Sequence, residues 1–553
     1  MIPRLPLPPS HAALALLALI FVAPGLAGHD PWKSFDVVAI EIAHQMHLSG
    51  DWLVPRVAGQ PWLEDPPLYH WLALAFGKAF GWAMQFHNAV RLASALCMLA
   101  AFWFLYLAAR HAAHAALAAE PAPQDALGAA KARYSARAVG ASATLLLAGS
   151  VGLIVHAHEA VPDLAALAAA CGALLFLSRA VRRPLASGFA FGAALGIAFL
   201  STGLVVPAVL LPVALAVHLA CDELRTRRAL LFLGPALGLP LLLAAAWLLA
   251  LQMRAPELAS AWWTAATQTR GAFGPTLRYY LVTAGWYAWP AWPLALWAAW
   301  TLRAQWRSPR VFVPLAASLL ALPAIAWNGQ TQDINTTLML APLALLGAHG
   351  VAQLRRGAAN ALDWFGVMTF GFLAALVWLG YAAMMTGLPP RIANNFAKTA
   401  PGFAAQFEWL PFLAAAALTL AWLWCALFTV PSPMRGALRW AAGVALLWGC
   451  FALLWMPWAD YQKSYRGVAL QLKSRLPANA GCIAGSGFGL PQRAALSYHA
   501  GIRTLAPGSD CMYFLVQGQG RHELDAPRGR WEKLADVGRP GDNSERYRLY
   551  RKK

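Results

Sequence analysis

The sequence predicts a polytopic all-α membrane protein of about thirteen transmembrane helices, with a small α/β domain at its C-terminus. Three observations carry this expectation. The 553 residues are 59% hydrophobic and 12% charged, and that charged share is about half of what a soluble protein carries. The apolar residues fall in runs near twenty long, the length at which a helix crosses a hydrocarbon core. Short basic stretches separate the runs, and the last stretch of chain loses the pattern altogether.

Taken in order, the runs place spans near 12–28, 88–109, 138–156, 162–179, 186–202, 204–220, 229–251, 280–302, 311–327, 335–352, 364–385, 410–429 and 440–457. So little chain separates 156 from 162, and 202 from 204, that tight reversals are expected there. The first run, His11 to Ala27, follows Arg4 as a signal peptide's apolar segment would. Pro24 and Gly28-His29-Asp30 stand where a small-residue cleavage site belongs, so an uncleaved first span is expected.

The formal net charge is +19. Its Arg and Lys residues are spread over alternate loops, which hold Arg110, Lys131, Arg133 and Arg137, then Arg179, Arg182 and Arg183, then Arg225, Arg227 and Arg228, then Arg303, Arg307 and Arg310, then Arg355 and Arg356, then Arg435 and Arg439. Alternate placement is the positive-inside pattern and puts these loops, with the N-terminus, in the cytoplasm. Charge scattered over separate loops rather than gathered on one face excludes a nucleic-acid partner. The other loops, 29–87, 157–161, 252–279, 328–334 and 386–409, and the tail 458–553, are then external. The chain accordingly divides into a membrane domain, 1–457, and a soluble periplasmic domain, 458–553.

The long loop 29–87 carries most of the unusual residues: Asp30, Asp36, Glu41, Asp51, Glu64 and Asp65 among many aromatics. Ile40, Ala43, Met46 and His47 share one helical face, so Asp36 to Leu48 reads as a helix lying on the membrane; Leu68 to Trp82, rich in aromatics, reads as a second. In the tail, Gln471 to Leu476 looks helical, and Cys482 to Ala484, Cys511 to Gln517 and Arg546 to Tyr550 look like strands. Cys97, Cys171, Cys221, Cys425 and Cys450 lie in or beside apolar runs and read as packing residues. Cys482 and Cys511 stand alone in the tail, where an oxidising compartment would pair them; two buried free thiols are the alternative.

Carboxylates at a membrane face are costly unless they are paired or used. Asp36 opens the first surface helix and reads either as a site carboxylate or as a solvated helix-end charge, whose neutralisation would cost at most about 1–2 kcal/mol. Asp163, after Pro162 at the mouth of the fourth span, reads either as a site carboxylate or as an ordinary helix start. His156, His158 and Glu159 form either an interfacial polar cluster or, with Asp30, Glu64 or Asp65, ligands for a divalent metal. Lys33, Arg56, Lys78, Arg91, Arg270 and Arg278 are external cations able to receive a lipid phosphate or simply to snorkel. Pro66-Pro67-Leu68-Tyr69 is a stiff turn into an aromatic surface suited to a carbohydrate, an isoprenoid chain or ordinary lipid.

Together these segments resemble a known family. "GHDPWK" and "EIAHQMHLSGDWLVPRVAGQPWLEDPPLYHWLA" are similar to the first external loop of the integral-membrane GT-C glycosyltransferases, in particular the lipid A aminoarabinose transferase and protein-mannosyltransferase-like group of bacteria. "AVPDLAALAA", "GAALGIAFLSTGLVVPAVLLP" and "TTLMLAPLALLGA" resemble later segments in the same order, over roughly residues 12–350. The resemblance implies a GT-C-like fold and transfer of a pentose or hexose from a polyprenyl-phosphate carrier to an external acceptor such as lipid A. It implies Asp36, or Asp30 beside it, as the main catalytic carboxylate and Asp163 as a second. Lys33, Arg56, Glu64, Asp65, Tyr69, His156, His158, Glu159 and Arg270 become candidates for substrate contact.

The chain departs from that family where cations are usual. Phe35-Asp36 replaces an Asp-Glu pair, Glu64-Asp65 replaces Glu-Lys before the double Pro, and Thr202-Gly203 replaces Lys-Gly. Gln332 and a Thr stand where a Lys and a Tyr are common. Three further readings therefore stand beside the first: a protein or O-antigen acceptor, a non-catalytic glycolipid-binding protein, and a transporter, the last disfavoured by the lack of an internal repeat.

Overall fold

The computed structural model describes residues 7–32, 34–118, 126–269, 271–327, 329–477, 480–518, 529–542 and 544–553, with 118 and 126–134 described by backbone alone. Arg4, Lys33 and Arg270 thus lie outside the described residues, as do the side chains of Lys131 and Arg133.

The membrane-embedded part begins with α1 (His11–Val22), started by Ser10, whose hydroxyl accepts from the Ala13 amide at 3.1 Å. It is shorter than the expected span because Pro24 and Gly25 stop it. The loop that follows carries α2 (Phe35–Ser49), a short hairpin β1 (Arg56–Val57) and β2 (Gln60–Pro61), and α3 (Leu68–Phe80). Both helices fall at the expected positions, but α2 is largely buried, packed between α3 and the C-terminal tail rather than lying on a surface. Then come α4 (Phe86–Ala118), α5 (Ala126–Ala148), the single turn α6 (Leu153–His156), α7 (Pro162–Ser178), α8 (Pro184–Thr202) and α9 (Val205–Ala220). Pro opens both α7 and α8, at the one helix position where its missing N–H costs nothing.

Two glycine features fix this region. Gly188, Gly192 and Gly196 line one face of α8, and a Cβ at any of them would collide with Phe232, Pro235 or Leu243 opposite; small residues every fourth position let the two helices touch. Gly203 has φ +76 and ψ −140, a region open to glycine alone, and this makes the reversal between α8 and α9.

The chain continues through α10 (Leu233–Arg254), α11 (Pro256–Thr267), α12 (Phe273–Tyr287), α13 (Ala291–Thr301), α14 (Pro309–Trp327), α15 (Thr337–Val351), α16 (Arg356–Thr386), α17 (Pro390–Thr399), α18 (Trp409–Phe428) and α19 (Arg435–Leu454). The span expected over 280–302 is two helices, α12 and α13, interrupted at Ala288–Pro290. Among the described residues, eight helices are long and apolar enough to cross a membrane, and four shorter ones are apolar too. Large apolar side chains stand exposed along the outer helices, among them Leu241, Leu242, Met253, Leu410 and Leu427. Lipid tails are the solvent that such a surface fits.

Two of the cations read as loop charges are structural. Arg439 and Arg435 reach Asp363 of α16 at 2.9 Å and 2.7 Å, a buried ion pair that fastens α16 to α19.

The tail carries α20 (Met456–Lys463), α21 (Arg466–Arg475), β3 (Ile483–Ser486), α22 (Leu490–Ala500), β4 (Thr504–Leu505), β5 (Tyr513–Gly518), β6 (Trp531–Val537) and β7 (Arg546–Lys552). The sheet order is β4-β3-β5-β7-β6, with β3 parallel to β4 and β5, and β7 antiparallel to β5 and β6. Alternation sets its two faces: Ile483, Leu515 and Leu549 pack with α21 and α22, while Ala484, Phe514, Val516 and Tyr550 pack on the other side. Cys482 and Cys511 are joined by a disulfide, with Cα atoms 5.4 Å apart. The sequence reading lacked α20, α22, β4 and β6.

Candidate functional site

A cavity of about 600 Å³ opens at one end of the bundle, between the first turns of α7, the α8–α9 reversal, the last turns of α14 and the start of α15. Its lower wall is apolar: Leu167, Val206, Ala208, Leu320, Ala324 and Leu338. Its upper wall is polar. Glu64 and Asp65 come from the loop before α3, Asp163 from the first turn of α7, and Gln330, Gln332 and Asn335 from the α14–α15 connector. Pro162 at the start of α7 fixes the helix, and hence Asp163, at this rim. Tyr280 holds the connector: its hydroxyl donates to the Gln330 carbonyl at 2.6 Å and accepts from Asn335 Nδ2 at 2.9 Å. Trp262 forms a side wall, edge-on to Trp247 with ring centroids 5.0 Å apart.

The electrostatics are those of a carboxylate cluster. Burial, then the charges of Asp163 and Glu64, hold the Asp65 carboxyl well above the usual carboxylate range; a 3.2 Å bond from Trp62 Nε1 offsets this only in part. A neutral carboxyl in this position is a hydrogen-bond donor as well as an acceptor. No Lys or Arg occurs among the described residues that line the cavity.

Beside the cavity, His156 bridges Glu159 Oε2 at 2.7 Å and Asp333 Oδ2 at 3.5 Å, and its ring stacks on Tyr287. Burial alone would lower its pKa, but the bonds to Asp333 and Glu159 overcome that and push it up to about 10. The imidazolium therefore joins the α6–α7 loop to the α14–α15 connector.

Asp36 stands behind this rim. Its neighbour Phe35 lines the cavity, while Asp36 is only 2% exposed and Arg91 is fully buried against it. Arg91 donates from Nε to Oδ1 at 3.1 Å and from Nη2 to Oδ2 at 2.6 Å, and the Ala160 amide donates to Oδ1 at 2.7 Å. Burial opposes ionisation, yet the guanidinium holds the Asp36 carboxyl below the usual range. Of the two readings of Asp36, the solvated helix-end charge is thus corrected. The helix cap is Ser34, and Asp36 is an internal ion-pair member that ties α2 to α4 and to the chain entering α7.

The remaining sequence candidates are dispersed. Asp30 faces the tail, accepting from Ser464 at 2.7 Å and pairing with Arg466 at 2.7 Å. Tyr69 is buried and its hydroxyl meets Ser94 at 2.7 Å. Arg56 lies on the hairpin, 4.0 Å from Asp51. Both ring nitrogens of buried His158 face carbonyl oxygens, of Ile154 and Phe21, and the ring stacks on Trp448. Tyr69, Arg56, Asp30 and His158 do not line the cavity. The described residues assemble no group of three His, Cys, Asp or Glu fit to hold a metal, so the metal reading of His156, His158 and Glu159 with Asp30, Glu64 or Asp65 finds no geometric support. Asp333, Gln330, Asn335 and Trp262 were not among the sequence candidates.

No protein-family model matches the chain. Over 390 residues it is 26% identical to the undecaprenyl phosphate-alpha-4-amino-4-deoxy-L-arabinose arabinosyl transferase of Pectobacterium carotovorum, covering 66% of this chain and 64% of that one. The corresponding transferase of Pectobacterium atrosepticum is 25% identical over 387 residues. The chain therefore spans slightly less than two thirds of the curated relatives it matches. In three dimensions the likeness extends over nearly the whole chain: the crystal structure of ArnT from Cupriavidus metallidurans bound to undecaprenyl phosphate aligns with 98% of this chain and 97% of its own, at a TM-score of 0.67 and 17% identity. The fold is that of ArnT. A second structure of that ArnT, in the apo state, aligns at the same TM-score. The membrane helices and the small C-terminal sheet are thus both part of one ArnT-like architecture.

Proposed function

We propose that the chain is a glycosyltransferase that moves a sugar from a polyprenyl-phosphate carrier to an acceptor outside the cytoplasm. One observation carries the reading: three carboxylates crown a cavity whose lower wall is an apolar groove between α7, α9, α14 and α15. An isoprenoid chain fits the groove, which leaves its phosphate and sugar at the polar rim. The relatives named for an amino-sugar donor, and the ArnT fold with undecaprenyl phosphate bound, support the same assignment. A carboxylate-rich rim suits the ammonium of an amino sugar. Lipid A or another envelope glycan is the proposed acceptor.

In this reading Asp163 and Asp65 touch the donor or the attacking hydroxyl. A carboxylate accepts the acceptor's proton as the sugar–phosphate bond breaks and the carrier phosphate departs with its electron pair. Asp65, whose carboxyl burial and neighbouring carboxylates hold above the usual range, donates a hydrogen bond to that phosphate when protonated, and Lys33 and Arg270 remain the sequence's candidates for the cation the departing phosphate calls for. His156 and Asp36 are positioning residues. The Arg-bearing ends of α7 and α14 lie opposite the cavity, so a cytoplasmic location for those ends puts the cavity and the tail in the periplasm of an inner-membrane protein. The lack of Lys and Arg among the described lining residues favours, as a second reading, glycolipid binding without turnover. Mass spectrometry of envelope glycolipids from cells with and without the gene separates the two. Loss of a sugar from one glycolipid class is expected, and unchanged glycolipids would contradict transfer.

A further inference from the structure

A second cavity, of about 290 Å³, lies at the opposite end of the same helices. The first is lined by Asp163 of α7 and the second by Ser178. Fifteen residues of helix set them about 22 Å apart. The second cavity has an apolar shaft, formed by Ala112 of α4, Leu177 of α7, Val313 of α14 and Leu345 of α15. Its rim is charged: Arg182 from the connector after α7, Arg310 from the first turn of α14, and Glu223 from the connector after α9. Ser308, immediately before α14, adds a hydroxyl.

We propose that this cavity holds one membrane phospholipid, with its phosphate between Arg182 and Arg310, its headgroup ammonium against Glu223, and an acyl chain in the shaft. Three features favour it. Arg182 makes no side-chain hydrogen bond or ion pair among the described residues, whereas Arg310 is anchored to Gln305. A snorkelling cation leaves an apolar face for water singly, but here two cations from separate elements converge with a carboxylate on one cavity. The mouth also bears Val181, an exposed apolar residue beside the rim, so a chain can enter from the bilayer. A bidentate guanidinium matches a phosphodiester, and the carboxylate selects a headgroup with a primary amine over a glycerol. This site is independent of the sugar chemistry at the other end.

The test is native mass spectrometry of the full chain, purified in mild detergent from membranes containing phosphatidylethanolamine and phosphatidylglycerol. One retained phosphatidylethanolamine per chain is expected. The double variant Arg182→Gln/Arg310→Gln should retain at least tenfold less, and Glu223→Gln should favour phosphatidylglycerol. Arg303→Gln, whose guanidinium stacks on Trp300 away from the cavity, should behave as wild type. Ala112→Trp plugs the shaft without touching the rim and should also lose lipid, which decides the matter if the double variant does not fold. Undiminished lipid in both the double variant and Ala112→Trp would overturn the proposal. So would displacement of the lipid by millimolar inorganic phosphate, which would reveal a simple anion site.

Discussion

Replacing Asp36 by Asn tests the buried pair behind the cavity. The carboxylate is 2% exposed and its partner Arg91 is fully buried, with three donors converging on two oxygens. Asn keeps one acceptor oxygen but presents an NH2 group where Oδ2 accepted from Arg91. The guanidinium keeps bonds to the carbonyls of His29 and Asp30 and to Asn88, but loses its counter-charge. Removing one partner of a buried ion pair destabilises by about 3–5 kcal/mol. The retained bonds put this case near about 3 kcal/mol, above the 1–2 kcal/mol of an exposed helix end. Denaturant titration of the purified protein in detergent reads it. Asp36→Asn/Arg91→Met removes both charges and should regain most of the loss, since an apolar replacement of a whole buried pair is often neutral. If Asp36→Asn alone unfolds within about 0.5 kcal/mol of wild type, the buried-pair argument fails and Asp36 is free to act directly on substrate.

Further outcomes follow from the same geometry. Asp65 has a raised pKa, so its effect on stability is least unfavourable below its unfolded value and worsens as pH rises through the folded one; Asp65→Asn should therefore gain stability over wild type at pH 8 relative to pH 4, in parallel thermal melts. His156 is raised to about 10, so the link it makes is fully present below about pH 6.5 and lost as pH rises through its folded pKa. The stability gap between wild type and His156→Gln should accordingly close by pH 10, and a pH-independent gap would contradict the ion-pair role. Gly203→Ala forces a side chain into the φ +76 turn and should destabilise by about 1–3 kcal/mol, read by the same titrations. Opening the Cys482–Cys511 bond, which spans 29 residues, should weaken the tail by about 3–4 kcal/mol, and non-reducing peptide mapping should recover the linked pair.

Much of the architecture is legible in the sequence because hydropathy runs and helix starts are local signals. Pro162 and Pro184 mark helix starts, and Gly203 marks a reversal. The aromatic and carboxylate-rich loop announces the positions of α2 and α3 and places Glu64 and Asp65 among the candidates, and Pro162 at a helix start draws attention to Asp163. What the sequence hides is partnership. Arg91 and Asp36 are 55 residues apart and read as two exposed charges, yet they satisfy each other in the interior. Asp30, an equally plausible acid, is claimed by Ser464 and Arg466 from the far end of the chain. Asp333 is foreshadowed only by a polar break, Gly329 to Asn335, between two apolar runs, and its pairing with His156 requires the fold. In the tail, α22 escaped notice because Leu490 to Ala500 has too little apolar periodicity to stand out from a loop; its packing comes from the sheet and from α2.

Single-turnover transfer by the purified chain in lipid nanodiscs tests the proposed sugar transfer directly. Undecaprenyl phosphate charged with 4-amino-4-deoxy-arabinose is the donor, lipid A the acceptor, and mass spectrometry follows both products. Glycosylated lipid A and free undecaprenyl phosphate should form in equal amounts, slowed on the order of a hundredfold or more by Asp163→Asn in a protein that still folds. Transfer at the wild-type rate by Asp163→Asn, or a charged donor that stays intact with wild-type protein and every envelope glycan offered, would contradict it.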